Sequence, residues 1–131
     1  MIQVLLDNDL RGRLELLDGT LINSRWADLD LFSFITFEEV GLKEDAKDRE
    51  VWRRAQELGL ILCTGNRNQD DDTSLEQTLQ DENTPFSLPV ITVGYPQRLP
   101  NPAYREQCID RLAEIIFDLE NYLGSARQYI P

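Results

Sequence analysis

Carboxylate and amide side chains follow two short apolar segments of the sequence. Asp7, Asn8 and Asp9 come directly after the first apolar segment, and a polar loop at 66–72 follows another at 60–64. Carboxylate and amide oxygens are the ligands that hard cations such as Mg²⁺ and Mn²⁺ prefer. Such a cation can activate water against a phosphodiester, so these two groups of side chains form a candidate metal site.

The composition narrows the chemistry to carboxylates, amides, hydroxyls, lysine and arginine. The 131 residues contain no histidine, which excludes Ser-His and Cys-His nucleophilic catalysis and every zinc site that contains histidine. The two cysteines, Cys63 and Cys108, lie in apolar periodic segments, and we expect buried structural thiols. The net charge is −11, so binding to a nucleic acid would require a divalent metal, a local basic patch or both.

The apolar pattern predicts strands that alternate with helices. Strands are predicted at residues 2–6, 29–37, 60–64 and 90–93. The predicted helices run from Leu10 to Asp18-Gly19, from a cap at Asp48 to Gly59, from a cap at Ser74 to about Asp81, and from a cap at Asn101 to Gly124. This alternation predicts one three-layer α/β/α domain over residues 1–131, with a central, mostly parallel sheet of four to five strands.

In an open parallel sheet, ligands bind beyond the carboxyl ends of the strands. If the first and third predicted strands are adjacent, Asp7 and the polar loop face one crevice, and Asp48 can approach it from the intervening helix. The alternative is that Asp7 and Asp48 only cap helices and that Asp70, Asp71 and Asp72 lie in a solvated loop. The residue types and their spacing alone favour this second interpretation.

Four segments resemble, in order, the motifs of small PIN-like domains. Residues 4–10 (VLLDNDL) resemble a strand that runs into Leu-Asp-Glu-Asn-Leu, and residues 40–42 resemble the Leu-Gly-Leu before the second helix of these domains. Residues 48–51 resemble the Asp-Glu-Glu-Ile start of that helix, and residues 59–68 resemble a strand ending in Thr-x-Asp-x-Asp. The resemblance extends over residues 2–68, about half of the chain.

The resemblance implies a PIN-like fold and a metal-dependent endoribonuclease, often the toxin of a toxin–antitoxin pair. Carried over by position, Asp7 is the first metal-binding carboxylate, and Asp48 or its neighbour Glu50 is the second. Asn66 and Asn68 stand where the family usually has aspartates. The implied catalytic residues are Asp7, Asp48, Asn66 and Asn68, and the implied ligands of Mg²⁺ or Mn²⁺ are Asp7, Asp48 and Asn66.

The two asparagines each remove one negative charge from the implied site, which lowers its affinity for a hard cation. Asp9 or one of the three loop aspartates, Asp70 to Asp72, would have to compensate. The resemblance therefore implies either a ribonuclease with a weakened metal site or a catalytically inactive PIN-like interaction protein.

The expected partners are RNA, an antitoxin or another protein, and a second copy of the chain. The homodimer is predicted from the apolar final helix and from Trp26. No apolar run approaches the roughly 20 residues that cross a bilayer, and the first residues do not resemble a signal peptide. We therefore expect a cytoplasmic protein that does not associate with a membrane.

Overall fold

Five parallel strands form the centre of the structure, a computed structural model that describes residues 1–65 and 74–131. The strands are β1 (Ile2–Leu6), β2 (Phe32–Ile35), β3 (Ile61–Thr64), β4 (Val90–Val93) and β5 (Arg127–Ile130). Their order across the sheet is β2-β1-β3-β4-β5, and every neighbouring pair is parallel. The predicted α/β fold with a central parallel sheet is confirmed.

Four α-helices cover the two faces of the sheet in the described part of the chain. The helices are α1 (Leu14–Ile22), α2 (Asp48–Leu58), α3 (Leu75–Glu82) and α4 (Pro102–Phe117). Side chains that alternate along each strand divide between two apolar cores: Val4 and Leu6 pack with α1 and α4, whereas Leu5 packs with α2 and α3. Strands β3 and β4 are buried on both faces, which explains why their sequences are apolar apart from one threonine each.

The connection from β4 to β5 has the opposite hand to the other three connections. Helices α1 and α4 lie on the same face, but α1 leads from β1 towards one edge of the sheet and α4 leads from β4 towards the other edge. Helices α2 and α3 lead towards the β5 edge on the opposite face, so their connections share the hand of the α1 connection. Connections between parallel strands are almost always right-handed, so the last one is unusual.

Helix α1 does not end at Asp18 and Gly19, as the sequence pattern predicted. It continues to Ile22, and the Thr20 hydroxyl in the added turn donates to the carbonyl of Leu16 at 2.9 Å. A 3₁₀ helix over Asn8–Arg13 precedes α1, so the helical segment after β1 is longer than predicted.

The other differences concern the edges of the sheet and the end of the chain. Strand β2 is shorter than the predicted segment 29–37. The final helix is divided, because α4 ends at Phe117 and a separate 3₁₀ turn follows at Leu119–Tyr122. Strand β5 was not assigned from the sequence, because as an edge strand it has one buried residue and shows no apolar run.

The predicted helix caps at Ser74 and Asn101 are confirmed. The Ser74 hydroxyl accepts a hydrogen bond from the backbone N–H of Gln77 at 3.2 Å, and the Asn101 side chain accepts one from that of Tyr104 at 3.2 Å. Both caps use the side-chain oxygen to satisfy a backbone donor in the first helical turn.

Cys63 and Cys108 are buried free thiols in the core between the sheet and α4, as predicted. Burial raises the pKa of both thiols, that of Cys108 to about 11. The apolar face of α4 is buried in this core, so the homodimer prediction loses that part of its basis. Among the described helices, none has both the length and the apolar character needed to cross a membrane.

Candidate metal centre

Asp7 lies at the carboxyl end of β1, where the order of the strands reverses. Strand β1 pairs with β2 on one side and with β3 on the other, so the predicted adjacency of the first and third strands is confirmed. The backbone N–H of Asp7 donates to the carbonyl of Cys63 in β3 at 2.9 Å. In doubly wound sheets, this reversal point opens a crevice at the carboxyl ends of the strands, which is where ligands bind.

The Asp7 carboxylate is held by two hydrogen bonds. Its Oδ1 accepts from the backbone N–H of Asn8 at 2.8 Å, and its Oδ2 accepts from the hydroxyl of Thr64 at 2.7 Å. Burial raises the pKa of Asp7, the two hydrogen bonds lower it, and the charge of Asp48 raises it. Each carboxylate oxygen has a second lone pair, so these bonds leave room for a cation.

Asp9 approaches the end of β3 from the 3₁₀ helix that follows β1. Its Oδ2 accepts a hydrogen bond from the backbone N–H of Gly65 at 3.2 Å. Burial of the carboxylate and the charge of Asp7 raise the pKa of Asp9 to about 6, although the residue as a whole is exposed. The sequence indicated Asp9 only as a substitute ligand, but the structure places it beside Asp7.

Gly65 is required where the segments after three strands meet. A Cβ atom at this position would lie 2.6 Å from Cγ of Pro96 and 3.0 Å from Oδ2 of Asp9. Asp9 follows β1, Gly65 follows β3, and Pro96 follows β4. The absence of a side chain at Gly65 therefore allows these three segments to pack against one another.

Asp48 is the first residue of α2, and the N-cap position belongs to Lys47, so Asp48 does not cap its own helix. Its Oδ2 instead accepts a hydrogen bond from the backbone N–H of Leu75, the first residue of α3, at 3.0 Å. The charge of Asp48 raises the pKa of both Asp7 and Asp9. We call these three residues the acidic cluster.

Glu50, the alternative second ligand, lies on the outer surface of α2. It is exposed and lines a shallow cleft together with Lys47, Arg53 and Arg54. Of the two residues that the resemblance offers as the second carboxylate, Asp48 lies close enough to raise the pKa of Asp7 and Asp9, whereas Glu50 is exposed on α2.

Two carboxylates of the acidic cluster, Asp7 and Asp9, have no positively charged partner among the described residues. No lysine or arginine of the described residues forms an ion pair with either of them. The two carboxylates lie close enough for the charge of Asp7 to raise the pKa of Asp9. A bound divalent cation would relieve this repulsion.

The acidic cluster does not by itself provide the ligands of a complete metal site. Within residues 1–65 and 74–131, no three or more His, Cys, Asp or Glu side chains are arranged to hold a metal ion. Asn66, Asn68 and the aspartates Asp70 to Asp72 lie outside the described residues, so their predicted roles stay predictions. Mg²⁺ usually keeps several waters and binds through only one or two carboxylates.

A separate cleft of about 670 Å³ lies between α1 and α4, on the face of the sheet that these two helices cover. Its lining includes Glu15, Arg105 and Asp110, and none of the residues that the sequence predicted for the site. The Arg105 guanidinium there donates to the hydroxyl of Thr20 and to the carbonyl of Leu99, so it holds α4 against α1.

No protein-family model, curated protein or solved structure matches this chain. The fold and the site by themselves define a doubly wound α/β domain with an acidic cluster at the point where its strand order reverses. Any narrower assignment rests on the chemistry of that cluster and on the sequence resemblance.

Proposed function

We propose that this chain is a PIN-like, divalent-metal-dependent endoribonuclease with a weakened metal centre. The observation that carries the proposal is the acidic cluster at the carboxyl ends of β1 and β3, where the charge of Asp48 raises the pKa of Asp7 and the charges of Asp7 and Asp48 raise that of Asp9. A toxin role and an antitoxin partner belong to the same proposal through the sequence resemblance. Mg²⁺ or Mn²⁺ is the proposed cofactor.

The residues of the cluster have different tasks in this proposal. When bound, the cation would polarise the scissile phosphate and lower the pKa of a water molecule. Asp7 provides a carboxylate whose orientation is fixed by Thr64 and Asn8. Asp9 holds a proton below about pH 6 and releases it above that pH, so it is ionised for cation binding at neutral pH.

The charge of the whole chain gives the cation a second role. A net charge of −11 repels the phosphate backbone of RNA, whose affinity for proteins comes mainly from positive groups. A divalent cation at the acidic cluster would offset two of its three negative charges and present a positive centre to a phosphate oxygen. We therefore expect RNA binding at this edge of the sheet to depend on the metal.

A non-catalytic interaction protein is the second candidate, and one observation favours it. Both oxygens of Asp7 and one oxygen of Asp48 already accept hydrogen bonds from other residues of the chain, and the described residues form no three-ligand metal group. In this role the two aspartates would join β1 to β3 and α2 to α3. Their substitution would then alter the free energy of unfolding and nothing else.

Mn²⁺ titration and RNA cleavage, measured on the same variants, separate the two candidates. Asp28→Asn is the matched control, because Asp28 is exposed and precedes β2 at the opposite edge of the sheet. We expect the wild type and the control to bind Mn²⁺ and to cleave an oligoribonucleotide, and Asp7→Asn to lose both properties. A wild type that neither binds millimolar Mn²⁺ nor cleaves RNA would exclude the nuclease and leave the interaction protein.

A further inference from the structure

The loop between α3 and β4 presents an exposed phenylalanine. Residues 83–89 (NTPFSLP) form this loop at the amino ends of the strands. Phe86 is 83% exposed, which is the highest fraction among the large apolar residues in the described part of the chain. Single exposed apolar residues are common on protein surfaces, so the conformation of the loop decides whether this one has a role.

The turn that carries Phe86 is fixed by its own hydrogen bonds. The backbone N–H of Ser87 donates to the carbonyl of Thr84 at 3.1 Å, and the backbone N–H of Phe86 donates to the Thr84 hydroxyl at 3.2 Å. The backbone N–H of Thr84 donates to the Ser87 hydroxyl at 3.0 Å. Pro85 restricts the backbone further, because its ring fixes φ. The position of the Phe86 backbone is therefore defined within the loop.

Contacts with two other segments hold the loop against the rest of the fold. The side-chain amide of Gln56 in α2 donates to the carbonyl of Leu88 at 3.0 Å and accepts from the N–H of the same residue at 3.0 Å. The N–H of Gly124 donates to the carbonyl of Ser87 at 2.9 Å. A Cβ atom at Gly124 would lie 2.8 Å from the carbonyl oxygen of Pro85, so these two segments are closely packed. A ring on a loop fixed in this way binds a partner with little loss of conformational entropy.

Two further apolar side chains border the loop. Leu58 follows Gln56 by two residues and is 47% exposed, and Leu123 precedes Gly124 and is 38% exposed. The surface around the loop thus provides both a projecting ring and apolar area that can receive a ring. A patch that supplies both halves of a contact is self-complementary, which is what a two-fold interface requires.

The charges around the loop favour a second copy of the chain over a basic partner. The loop itself is uncharged. The two carboxylates before it are paired with arginines of α2, Asp81 with Arg49 and Glu82 with Arg49 and Arg53. Glu57, near the end of α2, lines the outer cleft of that helix together with Arg53. A basic partner binds best where carboxylates are unpaired, whereas two chains of net charge −11 repel each other least where carboxylates are absent or paired.

We propose that the loop at 83–89 is the contact between two copies of this chain, with Phe86 of each copy packed against the Leu58 and Leu123 side chains of the other. The loop lies at the amino ends of the strands and the acidic cluster at their carboxyl ends, so both clusters stay outside the interface. The inference therefore does not depend on the proposed function. Stable interfaces use roughly 20–30 residues a side, and this loop with its neighbours supplies fewer, so the dimer is weak and depends on concentration.

Sedimentation equilibrium of the full chain tests the proposal from micromolar to millimolar concentration, at low and at high NaCl. The variants are Phe86→Ser, Phe86→Leu and Leu123→Ser. The control is Ile22→Ser, because Ile22 is 71% exposed at the end of α1, which covers the other face of the sheet. Thermal unfolding shows whether each variant is folded.

We expect the wild type and Ile22→Ser to form the same dimer, and Phe86→Ser to raise its dissociation constant about tenfold or more. Phe86→Leu and Leu123→Ser should each raise the dissociation constant several-fold, because each removes part of the apolar contact. These two variants provide the test if Phe86→Ser does not fold. High NaCl should strengthen the wild-type dimer, because salt screens the repulsion between two acidic chains and leaves the apolar contact in place.

Three results would overturn the inference. One is a wild type that stays monomeric at every concentration, which would make a different protein the occupant of the loop surface. Another is a dimer that folded Phe86→Ser and Leu123→Ser variants weaken no more than Ile22→Ser does. The third is a dimer that dissociates at high NaCl, since charged groups would then form the contact.

Discussion

The hydroxyl of Thr64 donates a 2.7 Å hydrogen bond to Oδ2 of Asp7, although the two residues are 57 positions apart in the sequence. The bond joins the carboxyl ends of β1 and β3 at the point where the strand order reverses. It lowers the pKa of Asp7 and so opposes the effect of burial, which raises it. Thr64 thus helps to keep the first carboxylate of the candidate metal centre ionised.

Replacement of Thr64 by valine tests this relationship. Valine has a similar shape but no donor, so Thr64→Val should raise the pKa of Asp7 further and destabilise the fold by about 1–2 kcal/mol. Urea unfolding at neutral pH and an NMR titration of the carboxyl carbons measure the two effects. Thr84→Val is the control, because Thr84 is exposed and its hydroxyl bonds within its own loop, to Ser87 and to the backbone N–H of Phe86. Equal losses in the two variants would contradict the prediction.

The stability of the chain should depend on Asp9 between about pH 4 and pH 6. The folded state holds the Asp9 proton more tightly than the unfolded state, because the pKa is raised from 3.8 to about 6. The stabilisation is therefore complete below about pH 4 and is lost as the pH rises through about 6. Above this pH, Asp9→Asn should be more stable than the wild type by up to about 1 kcal/mol, since solvent screens an exposed carboxylate.

Unfolding curves of the wild type and Asp9→Asn at several pH values measure this difference. Asp28→Asn changes the net charge by the same amount and separates the local effect from the general one. Identical pH profiles of stability for the wild type and Asp9→Asn would show that folding does not raise the pKa of Asp9, and would contradict the prediction.

The close approach at Gly65 predicts opposite effects for two glycine substitutions. Gly65→Ala should destabilise the fold by about 1–3 kcal/mol, because the added Cβ meets the Pro96 ring at 2.6 Å. Gly19→Ala should stabilise it by up to about 1 kcal/mol, since Gly19 lies inside α1 and a Cβ there meets no atom within 4 Å. Urea unfolding measures both, and a Gly65→Ala variant as stable as the wild type would contradict the close packing of Gly65 against Pro96.

The central strands were predictable because each is an apolar run. Strands β3 and β4 and the last three residues of β1 are covered on both faces, and their largely apolar sequences indicate this without knowledge of the partners. Strand β5 was missed because it lies at an edge, where three of its four residues remain accessible to solvent. The opposite hand of the last connection was also beyond prediction, since the general rule indicates the common hand.

The sequence by itself determined the α/β class, the position of Asp7 after the first strand and the exclusion of histidine chemistry. These depend on neighbouring residues and on composition, which the linear order contains completely. Only the tertiary structure decided that Asp9 reaches Gly65, that Asp48 bonds to α3 and that Arg127 returns to the sheet at Thr92. Each of these contacts joins distant segments, and the order and register of the strands, which no local pattern encodes, bring them together.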